Sequence, residues 1–135
     1  MKVRDIMSTN LSTVAPRDSL NAAAEIMKNR NVGCVPVCEN KQLCGMVTDR
    51  DLVVRGLTQN GHQSLTISEI MSGGMTVVNP DTTVEDAARI MEQQQIRRLP
   101  VVENGALVGI VSIGDIATRS DGLKSVDALE HISQS

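Results

Sequence analysis

The chain contains no phenylalanine, tyrosine or tryptophan in its 135 residues. A ligand must therefore be held by aliphatic side chains, backbone groups and polar atoms, because stacking on a side-chain ring is not possible. That removes the usual platform for single-stranded nucleic acid, in which rings alternate with basic residues. Positive charge is also short. Thirteen Lys and Arg stand against 16 Asp and Glu, the net charge is −3, and no basic run exceeds two residues. The electrostatic footprint of a DNA or RNA binder is missing, so nucleic acid is not an expected partner. The longest uncharged apolar stretch, residues 106–114, is about half of what a membrane span needs, and no membrane association is expected. The opening Met1-Lys2-Val3-Arg4-Asp5 leads into no apolar core, so no signal peptide is expected either. Three cysteines, an odd count in a chain without secretory features, point to reduced thiols and a cytoplasmic location.

Hydrophobic residues at 41% and charged residues at 21% describe a soluble globular protein, long enough for one domain or two small fused units. The chain is one unit written twice. Shifted by 64, it lies on itself without a gap. Ile6-Met7-Ser8 falls on Ile70-Met71-Ser72, Ala23-Ala24 and Ile26-Met27 on Ala87-Ala88 and Ile90-Met91, and Pro36-Val37 on Pro100-Val101. Leu43, Gly45, Val47, Asp51 and Arg55 fall on Leu107, Gly109, Val111, Asp115 and Arg119. In all, 18 identities occur between residues 5 and 57, far above chance pairing, so the chain arose by duplication.

Each copy predicts the order β-α-β-β-α. An extended start (Ser12-Thr13-Val14; Thr76-Val77-Val78) meets a proline, which biases its predecessor away from helix. A helix follows, capped by Asp18 or Ser19 in copy one, with Leu20, Ala23, Ala24 and Met27 at helical spacing. In copy two, Thr83 with Asp86 forms a capping-box pattern before the stripe Val84, Ala87, Ala88 and Met91. Two short strands around a polar turn come next, Val35 to Cys38 with Leu43 to Val47, and Leu99 to Val102 with Ala106 to Val111. A helix then starts at Thr48 or Ser112. The fold class is α/β (α+β), two β-α-β-β-α repeats packed about a pseudo-twofold axis. The first repeat spans 1–60, with a polar linker from about residue 58, the second 65–121, and a tail 122–135.

Gly45-Met46-Val47-Thr48-Asp49-Arg50-Asp51 and Gly109-Ile110-Val111-Ser112-Ile113-Gly114-Asp115 are the best candidates for chemistry. Each puts a hydroxyl at a strand-to-helix junction and a carboxylate three residues on. A hydroxyl with free N–H groups at a helix start suits a phosphate, and a carboxylate one turn on can accept from a vicinal diol. The same Thr/Ser-x-x-Asp spacing is also how a helix caps itself. A second candidate precedes the first hairpin strand. Gly33 permits close backbone approach, and Arg97-Arg98 could meet a phosphate with forked donors or simply lie solvated on a loop.

Cys38 and Cys44 stand where copy two has Val102 and Val108, so they read as strand-core residues, and Cys34 replaces Arg98. Zinc would need a fourth ligand and paired spacing. The two histidines, His62 and His131, fall in the linker and the tail. No nucleophile, metal triad or carboxylate pair can be assembled, so an enzyme is not expected.

Two copies carrying Asp-Ile-Met-Ser (Glu69 in place of Asp in copy two), Val-x-Pro, a hydrophobic residue before Pro-Val, and Gly-x-Val-Thr/Ser-x-x-Asp resemble a tandem CBS-domain pair, or Bateman module, over about residues 3–121. The chain is similar to the small stand-alone bacterial proteins of that family. The resemblance implies a regulatory module that binds an adenosine nucleotide, of AMP or ATP type, in clefts between the repeats and signals to a protein partner by conformational change. No further cofactor is implied. Thr48 and Ser112 would approach phosphate, Asp51 and Asp115 the ribose hydroxyls. Val32-Gly33-Cys34 in one cleft and Ile96-Arg97 in the other, each from the partner repeat, would flank adenine, and Arg50 and Arg98 would neutralise phosphate. The resemblance also implies a homodimer. The alternative is a structural or partner-binding homodimer with no ligand.

Overall fold

The computed structural model describes residues 1–119; the 122–135 tail and His131 lie outside the described residues. The elements are a 3-10 turn Val3–Asp5, helix α1 (Leu20–Arg30), strands β1 (Cys34–Glu39) and β2 (Gln42–Thr48), and a π-helical segment Asp51–Leu57. A 3-10 turn His62–Ser64, helices α2 (Ile67–Ile70) and α3 (Val84–Gln94), strands β3 (Arg98–Glu103) and β4 (Ala106–Ser112), and helix α4 (Ile113–Arg119) complete them. The architecture is mixed helix and antiparallel sheet.

The compact units do not follow the repeat boundaries. Ser12–Met75 forms one, the inner unit; Met1–Leu11 joins the chain from Thr76 onward to form the other, the outer unit. Each therefore takes its opening turn from the neighbouring repeat, by the same bonds. In the outer unit Val3 N–H donates to Thr82 O (2.8 Å) and Arg4 N–H to Pro80 O (3.0 Å). In the inner unit Ile67 N–H donates to Asp18 O and Ser68 N–H to Pro16 O, both at 2.9 Å. Arg4 also pairs with Asp81, whose carboxyl is held below its ordinary range by the hydrogen bond from Arg4 and then by its charge.

Around each hairpin the packing repeats. β1 and β2, like β3 and β4, pair antiparallel with one register shift, between Val37 and Cys38 and between Val101 and Val102. The extended starts expected as strands reduce to single parallel bridges, Val14 to Val37 and Val78 to Val101. On the other edge the Ile-Met-Ser segments lie across the second strand, bridging Ser72 to Met46 and Ser8 to Ile110. The repeated glycine is the crossing point. A Cβ on Gly45 would sit 2.8 Å from Ser72 O, and one on Gly109 would sit 2.6 Å from Met7 Sδ and 3.1 Å from Ser8 O.

The α3 stripe is buried as its spacing predicts, with Val84, Ala87, Ala88 and Met91 all in the outer core. In α1 only Ala23 and Met27 reach that depth and Ala24 stays exposed. Ser19 and Thr83 cap the two helices, accepting from Ala22 N–H and Asp86 N–H. Asp18 instead accepts from Ala15 N–H in the preceding turn, and the Asp86 carboxylate accepts from Arg89 rather than completing a capping box. Each helix ends on a left-handed residue, Asn31 or Gln95, both at φ 54°. The next N–H returns to the helix, Val32 to Met27 O (3.1 Å) and Ile96 to Met91 O (3.0 Å), the six-to-one bond of a Schellman end.

Both hairpins turn on two residues of positive φ, Asn40-Lys41 (51° and 69°) and Asn104-Gly105 (53° and 82°). Glycine suits the second position of this turn and lysine does not. Lys41→Gly should therefore stabilise the inner unit by about 0.5–1 kcal/mol in urea unfolding followed by far-ultraviolet circular dichroism. Deleting residues 1–11 removes Val3 (0% exposed) and Ile6 (2% exposed) from the outer core. Hydrogen-exchange protection should then fall over residues 76–112 more than over 12–64. Were the folded units the contiguous repeats, the loss would fall on 12–64.

Candidate functional site

Each unit brings its two sequence candidates to one corner. Cys34 pairs with Thr48 at the end of the first hairpin, and Arg98 with Ser112 at the end of the second. One residue further on, Asp49 N–H donates to Gly33 O and Ile113 N–H to Arg97 O, both at 2.9 Å. The Schellman ends of α1 and α3 deliver Val32 and Ile96 to the same corners. The inner unit thus gathers Val32, Gly33 and Cys34 beside Thr48, Arg50 and Asp51. The outer unit gathers Ile96, Arg97 and Arg98 beside Ser112 and Asp115.

The hydroxyl and carboxylate cap reciprocally. Thr48 N–H donates to Asp51 Oδ2 and Asp51 N–H to Thr48 Oγ1, both at 3.0 Å. Ser112 N–H donates to Asp115 Oδ2 (3.0 Å) and Asp115 N–H to Ser112 Oγ (3.1 Å). Capping does not exhaust these groups. A hydroxyl that accepts an N–H still carries its own proton, which can be donated to a phosphate oxygen. An ionised carboxylate has about four acceptor positions, enough to hold one N–H and still receive two hydroxyls of a diol. Asp51 keeps 12% of its side-chain surface exposed and Asp115 is partly exposed, so each offers some surface to solvent.

Two residues at the inner corner went unremarked as site residues in the sequence. Arg55 places Nε 3.9 Å from Asp51 Oδ1 and donates to Ile70 O at 3.5 Å. The sequence signal for it was its match to Arg119. Asp49 lays its carboxylate against Gly33, Oδ2 standing 3.2 Å from where a Cβ on that glycine would be. Its signal was a mismatch, since copy two carries Ile113 there. Arg50 is exposed, and its backbone N–H donates to Asp49 Oδ1 at 2.8 Å. Arg97 and Arg98 are exposed as well.

Cys38 and Cys44 match the burial of Val102 and Val108, whose places they take, and Cys44 packs against the inner core as Val108 does against the outer one. Cys38 and Cys44 are only half-buried, and none of the three cysteines forms a disulfide. Burial, and secondarily Cys44, pushes the Cys38 thiol above its ordinary value, which disfavours the nucleophilic thiolate. Among the described residues no three His, Cys, Asp or Glu side chains are gathered as metal ligands. No helix among them is long and apolar enough to cross a membrane.

A groove of about 700 Å³ lies in the inner unit, lined by Leu20, Ala24, Met27, Leu52, Val53 and Leu57 among others, with Asp49 on its wall. The outer unit has one of about 500 Å³ along α3, lined by Val77, Asp86 and Arg89 among others. Neither is lined by Thr48, Asp51, Ser112 or Asp115.

Because Asn can still accept the N–H of residue 48 or 112, the cap separates from the charge. Asp51→Ala and Asp115→Ala should each cost about 0.5–2 kcal/mol in urea unfolding, whereas the Asn variants should lose distinctly less. Equal losses for Ala and Asn would show that the carboxylate charge, not the cap, holds the corner.

The CBS domain family model matches residues 3–56 and again 67–122. The CBS domain-containing protein YhcV of Bacillus subtilis (strain 168) is 43% identical over 132 residues, covering 97% of this chain and 94% of that protein. Among solved structures, Hypoxic Response Protein I with two coordinated zinc ions is 33% identical, with a TM-score of 0.81, covering 90% of this chain and 100% of that one. CBSX2 in complex with AMP is 31% identical, with a TM-score of 0.76, over 87% and 93% of the two chains. The motifs, the fold and the two family matches agree: the chain belongs to the CBS domain family.

Proposed function

We propose that the chain is a regulatory module that binds an adenosine nucleotide, of AMP or ATP type, and signals to a protein partner by conformational change. The observation that carries this reading is the AMP complex of CBSX2, 31% identical over 87% of this chain. The paired corners supply chemistry suited to such a ligand. Thr48 and Ser112 donate to phosphate, and Asp51 and Asp115 accept the ribose hydroxyls. Val32-Gly33-Cys34 and Ile96-Arg97 offer aliphatic and backbone surface to adenine, and Arg50 and Arg98 bring positive charge to phosphate. A chain without aromatic residues must hold a purine face with aliphatic, backbone and polar groups of this kind.

The proposal includes no catalysis and no required cofactor. It includes a homodimer, supported by Val53, Val54 and Leu57, which are 54%, 50% and 57% exposed on one helical segment. Signalling further requires that the partner-competent state differ in nucleotide affinity from its alternative. The second reading, a structural homodimer without ligand, is favoured by one observation: the reciprocal caps satisfy Thr48, Asp51, Ser112 and Asp115 with no ligand at all.

The purified chain is nearly transparent at 280 nm for lack of Trp and Tyr, so retained nucleotide would show directly as a band near 260 nm, to be identified by mass spectrometry after acid release. Calorimetric titration with AMP and ATP completes the test. Binding to the parent, weakened about tenfold or more by Asp51→Asn or Asp115→Asn, is the expected result. No band and no binding at millimolar nucleotide would leave the structural homodimer.

A further inference from the structure

The inner unit keeps open an apolar groove whose counterpart in the outer unit is buried. Leu20, Ala24 and Met27 of α1 line one wall, and Leu52, Val53 and Leu57 of the π-helical segment line the other. The matching Val84, Ala88, Met91 and Ile116 of the outer unit are at most 4% exposed. In the inner unit Ala24 is exposed, and Leu20 and Leu52 are only half-buried. Two differences in the sequence accompany the opening. Ile113 belongs to the outer core, whereas Asp49 at the matching position stays exposed on the groove wall. The segment Asp51–Leu57 is π-helical where the outer unit has the α-helix Ile113–Arg119. Turns of π-helix are rare and recur at functional sites.

The groove has the size and lining of a ligand site. Its volume of about 700 Å³ falls within the ~300–1,000 Å³ of small-molecule sites, which are mostly apolar with a few polar groups. The two walls are locked to each other where Leu20 sits on Gly56. That glycine is buried, and a Cβ on it would stand 2.5 Å from Leu20 Cδ2. Charge then selects the occupant. Among the described lining residues there is no Lys, Arg or Glu, and Asp49 is the single Asp. Its Oδ1 accepts from Arg50 N–H at 2.8 Å, and among the described residues it forms no ion pair. A carboxylate in this setting attracts a cation and repels an anion, and the aliphatic walls favour a ligand with an apolar chain.

We propose that the inner groove binds an amphipathic cation, with a protonated amine at Asp49 and an aliphatic body along Leu20, Ala24, Leu52 and Leu57. The site is independent of the nucleotide reading above, since neither Thr48 nor Asp51 lines it. It shares Val53 and Leu57 with the exposed ridge that supports the homodimer, so an occupant competes with self-association through that ridge.

The test titrates octylamine, decylamine and octanol into the full-length chain by calorimetry at neutral pH, where both amines are protonated. Octylamine should bind about three- to fivefold more tightly than octanol. Asp49→Asn keeps an acceptor for Arg50 N–H and should abolish that preference while leaving octanol affinity unchanged. Decylamine should bind about tenfold more tightly than octylamine, as two further buried methylenes require. Ala24→Leu, which fills the groove from an exposed helix position, should weaken all three probes with the far-ultraviolet circular dichroism of the parent retained. Equal affinity for octylamine and octanol, or a preference that survives Asp49→Asn, overturns the cationic class. An Ala24→Leu variant that binds like the parent places the probes elsewhere and overturns the site. So does a parent chain that binds no probe at millimolar concentration. If in that case Val53→Ser with Leu57→Ser turns a dimer into a monomer by light scattering, the groove is the seat of a second copy.

Discussion

Each hairpin depends on a short segment that its own repeat does not supply. Ser8 exchanges backbone hydrogen bonds with Ile110 at 2.8 and 3.0 Å, and Ser72 does so with Met46 at 3.0 and 2.9 Å. Only glycine at 45 and 109 lets the crossing chains approach this closely. The crossing satisfies the backbone N–H and C=O of Met46 and of Ile110. It also delivers Ile6 to the outer core and Ile70 to the inner one, at 2% and 0% exposure. Each repeat gives its Ile-Met-Ser segment to the other unit, so each compact unit is built from chain of both repeats.

The candidate corners inherit their geometry from this arrangement. A hairpin held on both edges ends at a defined place, so Asp49 and Ile113, just past Thr48 and Ser112, meet the loops at Gly33 and Arg97 with equal hydrogen-bond lengths. The helices entering those loops end on left-handed residues, which turn Val32 and Ile96 back towards the hairpins. Loop, strand end and helix start thus converge for packing reasons alone. The side chains carried on the scaffold differ between copies where packing leaves their positions free. Position 49 tolerates an exposed Asp while position 113 is absorbed into the core as Ile.

Much of the local structure was legible from the residues. Asn104-Gly105 marks a two-residue hairpin turn, and Asn40-Lys41 could be assigned only through its match to it. The stripe of α3 is buried as its spacing requires, whereas the matching stripe of α1 leaves Ala24 on the wall of a groove. Thr/Ser-x-x-Asp left capping and ligand binding open, and the structure shows that the cap is made and that reachable acceptor and donor capacity remains. Cys38 and Cys44 follow their valine counterparts, Val102 and Val108, which are equally half-buried. Both cysteines sit beside the register shift of the first hairpin.

The sequence by itself determined the duplication, the paired helices and hairpins of each repeat, the family and the hydroxyl–carboxylate pairs. These are local or periodic features: identities at a fixed offset, helical stripes, turn residues with positive φ, and spacings of three. What only the tertiary structure decided is which pieces of chain fold together. No local preference in residues 1–11 or 65–75 tells whether they pack on their own repeat or the other, because the same Ile-Met-Ser precedes both. The choice is made by long-range hydrogen bonds to Pro80, Thr82 and Ile110, and to Pro16, Asp18 and Met46. Tertiary packing likewise decided that Asp49 stands against Gly33 while Ile113 is buried, since two residues at matching positions are equivalent in the alignment and differ only in what surrounds them.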